Sequence, residues 1–180
     1  MRTSAAAIGT VAFAATVPAT VIGVLPRWLA QGREPPPAKP AQRHIGSALC
    51  AVGLPLVADA FVRFVHARGT PAPIAETEQL VTSGPYRWMR NPQYVGVTAT
   101  VAGQGLRWNS RPVLAYAGYL AVAFHAWVRL YEEPRLHERF GTAYERYTAS
   151  VPRWPHPLPH RPAQQHGGPS FVRRSRLDGW

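Results

Sequence analysis

Gly84-Pro85-Tyr86-Arg87-Trp88-Met89-Arg90-Asn91-Pro92-Gln93-Tyr94 opens the part of the chain that decides the fold. Two arginines, three aromatics and two prolines stand directly before an apolar run. Asn91 followed by Pro92 reads as the N-cap and first position of a helix. That helix is predicted over residues 92–108 and would be about 25 Å long. It is short for a membrane span, but Arg107 can snorkel and Trp108 suits an interface. Only Arg107-Trp108-Asn109-Ser110-Arg111 separates it from the next apolar run, residues 112–131. A link this short predicts an antiparallel helical hairpin. Pro112 would open the second arm as Pro92 opens the first. The hairpin then returns Glu132-Glu133, which follow the second arm, to the membrane face that holds the Tyr86–Tyr94 collar.

Two more apolar runs precede the collar. Residues 4–25 carry no charge and are long enough, at about 22 residues, to cross a bilayer core. A signal peptide is the alternative, but its apolar region would be shorter, and no small-x-small site precedes Pro26-Arg27. Residues 45–65 form the other run, interrupted by Asp59 and Arg63. The expected fold is therefore an all-α membrane protein with about four transmembrane helices and a C-terminal helical segment on the cytoplasmic side. Basic residues set its orientation. About 14 of the 20 Lys+Arg fall with the termini and the 66–91 loop, and about six on the other side. This excess puts both termini in the cytoplasm. Three regions follow: residues 1–65, a two-helix membrane region with a proline-rich linker at 31–42; residues 66–155, holding the hairpin and the candidate site; and residues 156–180, a basic Pro/His-rich tail expected to be disordered.

Charged residues make up 16% of the chain, against about 25% in an ordinary soluble domain. The mean hydropathy of −0.16 is an average of long apolar runs and Arg/Pro-rich links. A net charge of +11 fits nucleic acid or an anionic membrane surface. The apolar runs favour the membrane, and no RNA-binding aromatic–basic module or zinc-finger spacing accompanies the charge. Cys50 is the single cysteine, so no intrachain disulfide forms, and its apolar surroundings read as an inert buried thiol. His156, His160 and His166 lack metal-ligand spacing, and no metal is expected.

Several residues qualify for chemistry, each with a plainer reading beside it. Glu132 and Glu133 are either ion-pair partners of Arg90, Arg129 or Arg135, or carboxylates that hold a ligand ammonium. An acid at a helix C-terminus opposes the macrodipole, unless the helix runs on through Pro134. Gly103-Gln104-Gly105 allows close packing of helices or close approach of a ligand to backbone. Asp59 and Arg63 are spaced to pair along one helix face. His125 reads as a general base or as a residue facing the bundle interior. Tyr144 and Tyr147 share one side of a short helix, packed on the core or lining a pocket.

The order of these pieces carries a resemblance. Leu80-Val81-Thr82-x-Gly84-Pro85-Tyr86-Arg87 is followed by Arg90-Asn91-Pro92-x-Tyr94-x-Gly96 and Gly103-x-Gly105. Glu132-Glu133-x-x-Leu136, Phe140-Gly141-x-x-Tyr144-x-x-Tyr147 and Val151-Pro152-Arg153 complete the set. Each is weak alone; in this order they resemble the isoprenylcysteine carboxyl methyltransferase and phospholipid methyltransferase family of integral membrane proteins. The resemblance implies S-adenosylmethionine-dependent methyl transfer to a lipid-like or isoprenoid-bearing acceptor, with Arg90 and Glu133 central. It implies a cofactor region of Tyr86, Arg87, Asn91, Pro92, Tyr94, Gly103, Gly105, Glu132, Glu133 and Tyr144. A glutamate suits the cofactor's ammonium, Arg87 or Arg90 its carboxylate, and the tyrosines its adenine or sulfonium. Where the family usually has Arg-His-Pro this chain has Arg90-Asn91-Pro92, and asparagine can cap and hydrogen-bond but not titrate. A nicotinamide-dependent membrane reductase and a non-catalytic lipid-binding protein are the other readings.

Overall fold

The computed structural model describes residues 16–31, 36–66, 79–155 and 171–173. They fall into two compact units, residues 1–59 with 93–124 and residues 60–92 with 125–180.

The first unit is helical. The chain from residue 16 is helical through a π-helical turn at Ala19–Val24 and continues into α1, Leu25–Ala30. The helix thus passes Pro26, where the sequence predicted its end; residues 4–15 of that predicted span lie outside the described residues. Pro26 has no N–H to give to the Ile22 carbonyl four residues back. Gln104 Nε2 donates to that oxygen instead, at 2.9 Å. The Pro26 interruption is therefore satisfied by a side chain from another helix.

α2 runs Pro40–His66 with Pro55 inside it. It begins at Pro40 rather than at residue 45, because a proline is well suited to a first helical turn. The extended linker shrinks accordingly to residues 36–39 among those described. α3, Pro92–Arg107, matches its predicted bounds closely. α2 and α3 approach at glycines. A Cβ on Gly103 would stand 2.5 Å from the Gly46 carbonyl oxygen, and one on Gly96 2.7 Å from that of Gly53. Cys50 Sγ donates to the Thr100 carbonyl at 3.5 Å, so the thiol is a packing residue in this contact.

The hairpin link is built as expected. Ser110 N–H bonds to Gly105 O at 2.9 Å and Asn109 N–H to Leu106 O at 3.2 Å. This is a Schellman closure, with Asn109 in the left-handed conformation at φ 49°. α4, Arg111–Trp127, follows at once. Val101 of α3 packs with Val113, Ala117 and Leu120 of α4, flanked by Val21 and Leu29.

The second arm does not stop near residue 131. α4 passes through a π-helical turn, Val128–Glu132, into α5, Glu133–Phe140. The wide turn bonds the Glu133 N–H to Val128 O, so the proline that follows is absorbed rather than ending the helix. Arg111–Phe140 is then one helix of 30 residues whose apolar 18-residue stretch has mean hydropathy 1.3, and Pro40–Arg63 one of 24 residues whose apolar stretch reaches 1.9. Among the described residues these two are long and apolar enough to cross a membrane. α3, at 16 residues, is not, so the four-span expectation is not met by length alone.

The second unit is built on α6, Thr142–Ser150, packed against the end of α5. Leu80, Phe140, Tyr144, Tyr147 and Val151 form one buried cluster, and Ala60, Val81 and Tyr86 another. Gly141 joins the two helices at φ 49°, ψ −126°. No side chain crowds this position, so the constraint is conformational. The unit also holds a feature outside the all-α expectation. β1, Gln79–Val81, pairs antiparallel with β2, Phe171–Arg173, in the register Leu80↔Val172. The rest of the tail, and residues 67–78, lie outside the described residues.

Candidate functional site

The second unit holds the charged candidates, and Arg90 meets Glu133 there. The continuous helix places Glu133 inside a helix rather than at its C-terminus, which removes the macrodipole objection. Arg153 grips it in a two-point fork, Nε to Oε1 and Nη2 to Oε2, both at 2.7 Å. Arg90 Nη1 lies 3.0 Å from Oε1. The Glu133 and Arg90 side chains are only 18% and 13% exposed, so these are not solvent-screened surface pairs. Arg90 Nη1 also donates to the Tyr144 hydroxyl at 3.3 Å.

Tyr86 sits in a 3₁₀ turn, Gly84–Arg87, and is buried. Its carbonyl accepts from the Tyr147 hydroxyl at 2.7 Å. This bond fastens the collar to α6. Burial pushes the Tyr147 phenol well above its usual value, with Arg90 partly opposing. Tyr144 is also raised, first by burial and then by the Glu133 charge. Both phenols stay neutral, so each retains its proton as a hydrogen-bond donor.

The segment 151–155 closes around the collar. Arg90 N–H donates to Pro152 O at 2.9 Å, and Asn91 Nδ2 to Arg153 O at 3.2 Å. Hydrogen bonding to Glu133 raises the Arg153 guanidinium further above its already high value, so its charge is permanent. Trp154 Nε1 donates to His125 Nδ1 at 3.0 Å. His125 is exposed and does not face an interior. Accepting at Nδ1 also leaves its proton on Nε2, the wrong tautomer for a base acting through that nitrogen.

The structure thus brings Tyr86, Arg87, Arg90, Asn91, Pro92, Glu132, Glu133 and Tyr144 into one unit. Tyr94, Gly103 and Gly105 belong to the other. There Tyr94 stacks on Phe124 with centroids 4.6 Å apart, Gly103 meets α2, and Gly105 lies against Leu114. Arg153 is the residue that sequence reasoning passed over. It was visible only as the end of the Val151-Pro152-Arg153 motif, with nothing to tie it to Glu133.

Among the described residues, the buried Nε donors of Arg87 and Arg90 have no hydrogen-bond partner, and Arg90 is the one of the two that pairs with Glu133. A buried unpaired guanidinium N–H is costly unless something accepts from it. A partly buried carboxylate paired with an arginine that keeps one N–H unpartnered is suited to a ligand that carries an ammonium and a carboxylate together. The chain is thus helical, with two membrane-length helices among the described residues and the Arg–Glu cluster on the later part of one of them. A model of the phospholipid methyltransferase family matches residues 41–143, more than half of the chain. The chain belongs to that family. No curated protein and no solved structure matches it.

Proposed function

We propose that this chain transfers a methyl group from S-adenosylmethionine to a lipid-like or isoprenoid-bearing acceptor, at a carboxylate or an amine. The observation that supports it most directly is Glu133, held between Arg153 and Arg90, the latter with its buried Nε donor unpartnered. Family membership supports the reaction class and the lipid-like acceptor, and gives the nicotinamide-dependent reductase no support.

S-adenosylmethionine would supply an electrophilic methyl on a sulfonium. The residues of this chain hold and orient it. A carboxylate has about four acceptor positions, and the arginines fill three of those on Glu133. One remains for an ammonium. Arg87 and Arg90 would receive the ligand carboxylate through their free Nε–H groups. Tyr144, neutral and packed in the core, would steady Arg90 through its hydroxyl. Because the leaving group is already activated, alignment and exclusion of water are the main tasks of the protein. A carboxylate acceptor would need no base; an amine acceptor would have to arrive neutral or lose a proton to a carboxylate. Exposed Tyr119, Val122 and Leu130 on the long helix suit contact with the apolar tail of such an acceptor or with surrounding lipid.

Calorimetry in detergent tests the reading. S-adenosylhomocysteine is expected to bind, NADPH not to bind, and Glu133→Ala to weaken the former more than about tenfold, the loss of one charge-assisted contact. Transfer of labelled methyl into lipid and protein extracts then sorts the acceptor. Absence of binding by either form of the cofactor would refute the proposal.

A further inference from the structure

Arg153 controls Glu133, but its own placement depends on the collar. Two neighbouring residues hold two neighbouring carbonyls: the Arg90 amide holds Pro152 O at 2.9 Å, and the Asn91 side chain holds Arg153 O at 3.2 Å. Val151, just before them, is fully buried. The backbone of the segment is therefore fixed on one side by core packing and on the other by these two bonds. A guanidinium on a long flexible stem makes a two-point fork with a carboxylate only if its Cα is held at the right distance. Asn91 is 4% exposed and its amide points at the Arg153 carbonyl, not into open space. Arg153 lies beyond residue 143, where the family match ends, so this link joins a matched residue to an unmatched one.

We infer that Asn91 is a positioning residue. It fixes the Arg153 backbone so that the Arg153 guanidinium orients the Glu133 carboxylate, and it acts on the ligand through that chain rather than by touching it. The consequence for affinity rests on the function proposed above; the positioning itself does not. The role fits asparagine well. An amide donor satisfies a backbone carbonyl at any pH, whereas a histidine there would lose or gain charge. Asn91 should therefore make the Arg153–Glu133 geometry independent of pH near neutrality.

The test is a double-mutant cycle on the full-length protein in detergent, with Asn91→Ala, Arg153→Gln and the pair. Two measurements are made on each: the dissociation constant for S-adenosylhomocysteine, and hydrogen exchange at the Arg90 amide by mass spectrometry. Each single change should raise the dissociation constant about tenfold, and the pair no more than about twofold beyond either single, because both act on one link. In turnover, the KM for S-adenosylmethionine should rise with kcat within about twofold, since an effect on ligand binding alone leaves kcat in place. Asn91→Asp, similar in shape but without the donor, should behave as Asn91→Ala; it also serves if the alanine variant folds poorly. Exchange at Arg90 should quicken at least about tenfold in Asn91→Ala, as the segment comes loose. Multiplication of the two effects to about a hundredfold would overturn the inference, because Asn91 would then contact the ligand independently of Arg153. Unchanged exchange at Arg90 would overturn it as well. If the wild type binds no S-adenosylhomocysteine, the proposed function falls, and the exchange measurement alone decides whether Asn91 positions the segment.

Discussion

At the scale of single residues, Glu133 is the most consequential group in the chain. It is the shared counterion of Arg90 and Arg153, so removing its charge leaves two cations facing each other in a partly buried setting. Glu133→Gln is expected to lower stability by about 2 kcal/mol, the scale of hydrogen bonds to charged groups, as read from denaturant unfolding in detergent. Tyr147 offers a second test. Its hydroxyl bond to Tyr86 O is buried, so Tyr147→Phe should cost about 1 kcal/mol in the same assay. Its raised phenol value also sets a sign with pH. The folded chain holds the proton more tightly than the unfolded one. The associated stability is fully present below about pH 10 and is lost as pH rises towards the folded value. Thermal melts between pH 9 and 11 (values chosen at about the phenol range) should fall more steeply in the wild type than in Tyr147→Phe. Equal slopes would contradict this account. Glu133 and Arg90 were legible in the sequence because a short hairpin link returns them to one face. Arg153 was not, since it meets Glu133 through the turn at Gly141, whose backbone conformation no spacing rule supplies.

At the scale of elements, the helices are held where their backbones are interrupted. Gln104 donates to the Ile22 carbonyl, which Pro26 cannot serve. Gln104→Leu should therefore cost about 1 kcal/mol, and less in a Pro26→Ala background, where the restored N–H can take over. Equal costs in both backgrounds would show that the amide acts elsewhere. Gly103→Val forces a side chain against the Gly46 carbonyl and Cys50, and should destabilise by about 3 kcal/mol or more. The sequence left Gly103 and Gly105 open between close helix packing and approach of a ligand to backbone, and the structure shows Gly103 packed against α2. The hairpin was legible, from Asn91-Pro92 and a five-residue link. Passage of the long helix through Pro134 was only a conditional reading. A π-helical turn has no sequence signature, and proline ordinarily marks an end.

At the scale of the whole molecule, the length of one helix makes the membrane reading testable. Arg111 and Glu138 are both exposed and lie about 40 Å apart along a continuous helix. That is more than the thickness of a bilayer's hydrocarbon core. Cys50 is the single native thiol, so a Cys50→Ser background allows single cysteines to be placed at either position. An impermeant maleimide on intact cells should label Arg111→Cys, and Glu138→Cys only after the membrane is opened. The reverse pattern would invert the topology, and equal labelling would remove the span. The β1–β2 ladder has a practical corollary of its own. Leu80 belongs to one buried cluster of the second unit and Val81 to the other, and both are strand residues whose ladder partners lie at Val172 and Phe171. A worker tidying the protein for purification would cut at the Pro/His-rich stretch, near residue 156, and would thereby unzip the strand that seats both clusters. Shortened and intact polypeptides should then disagree in ligand affinity, and an affinity tag is better placed ahead of residue 1 than behind residue 180.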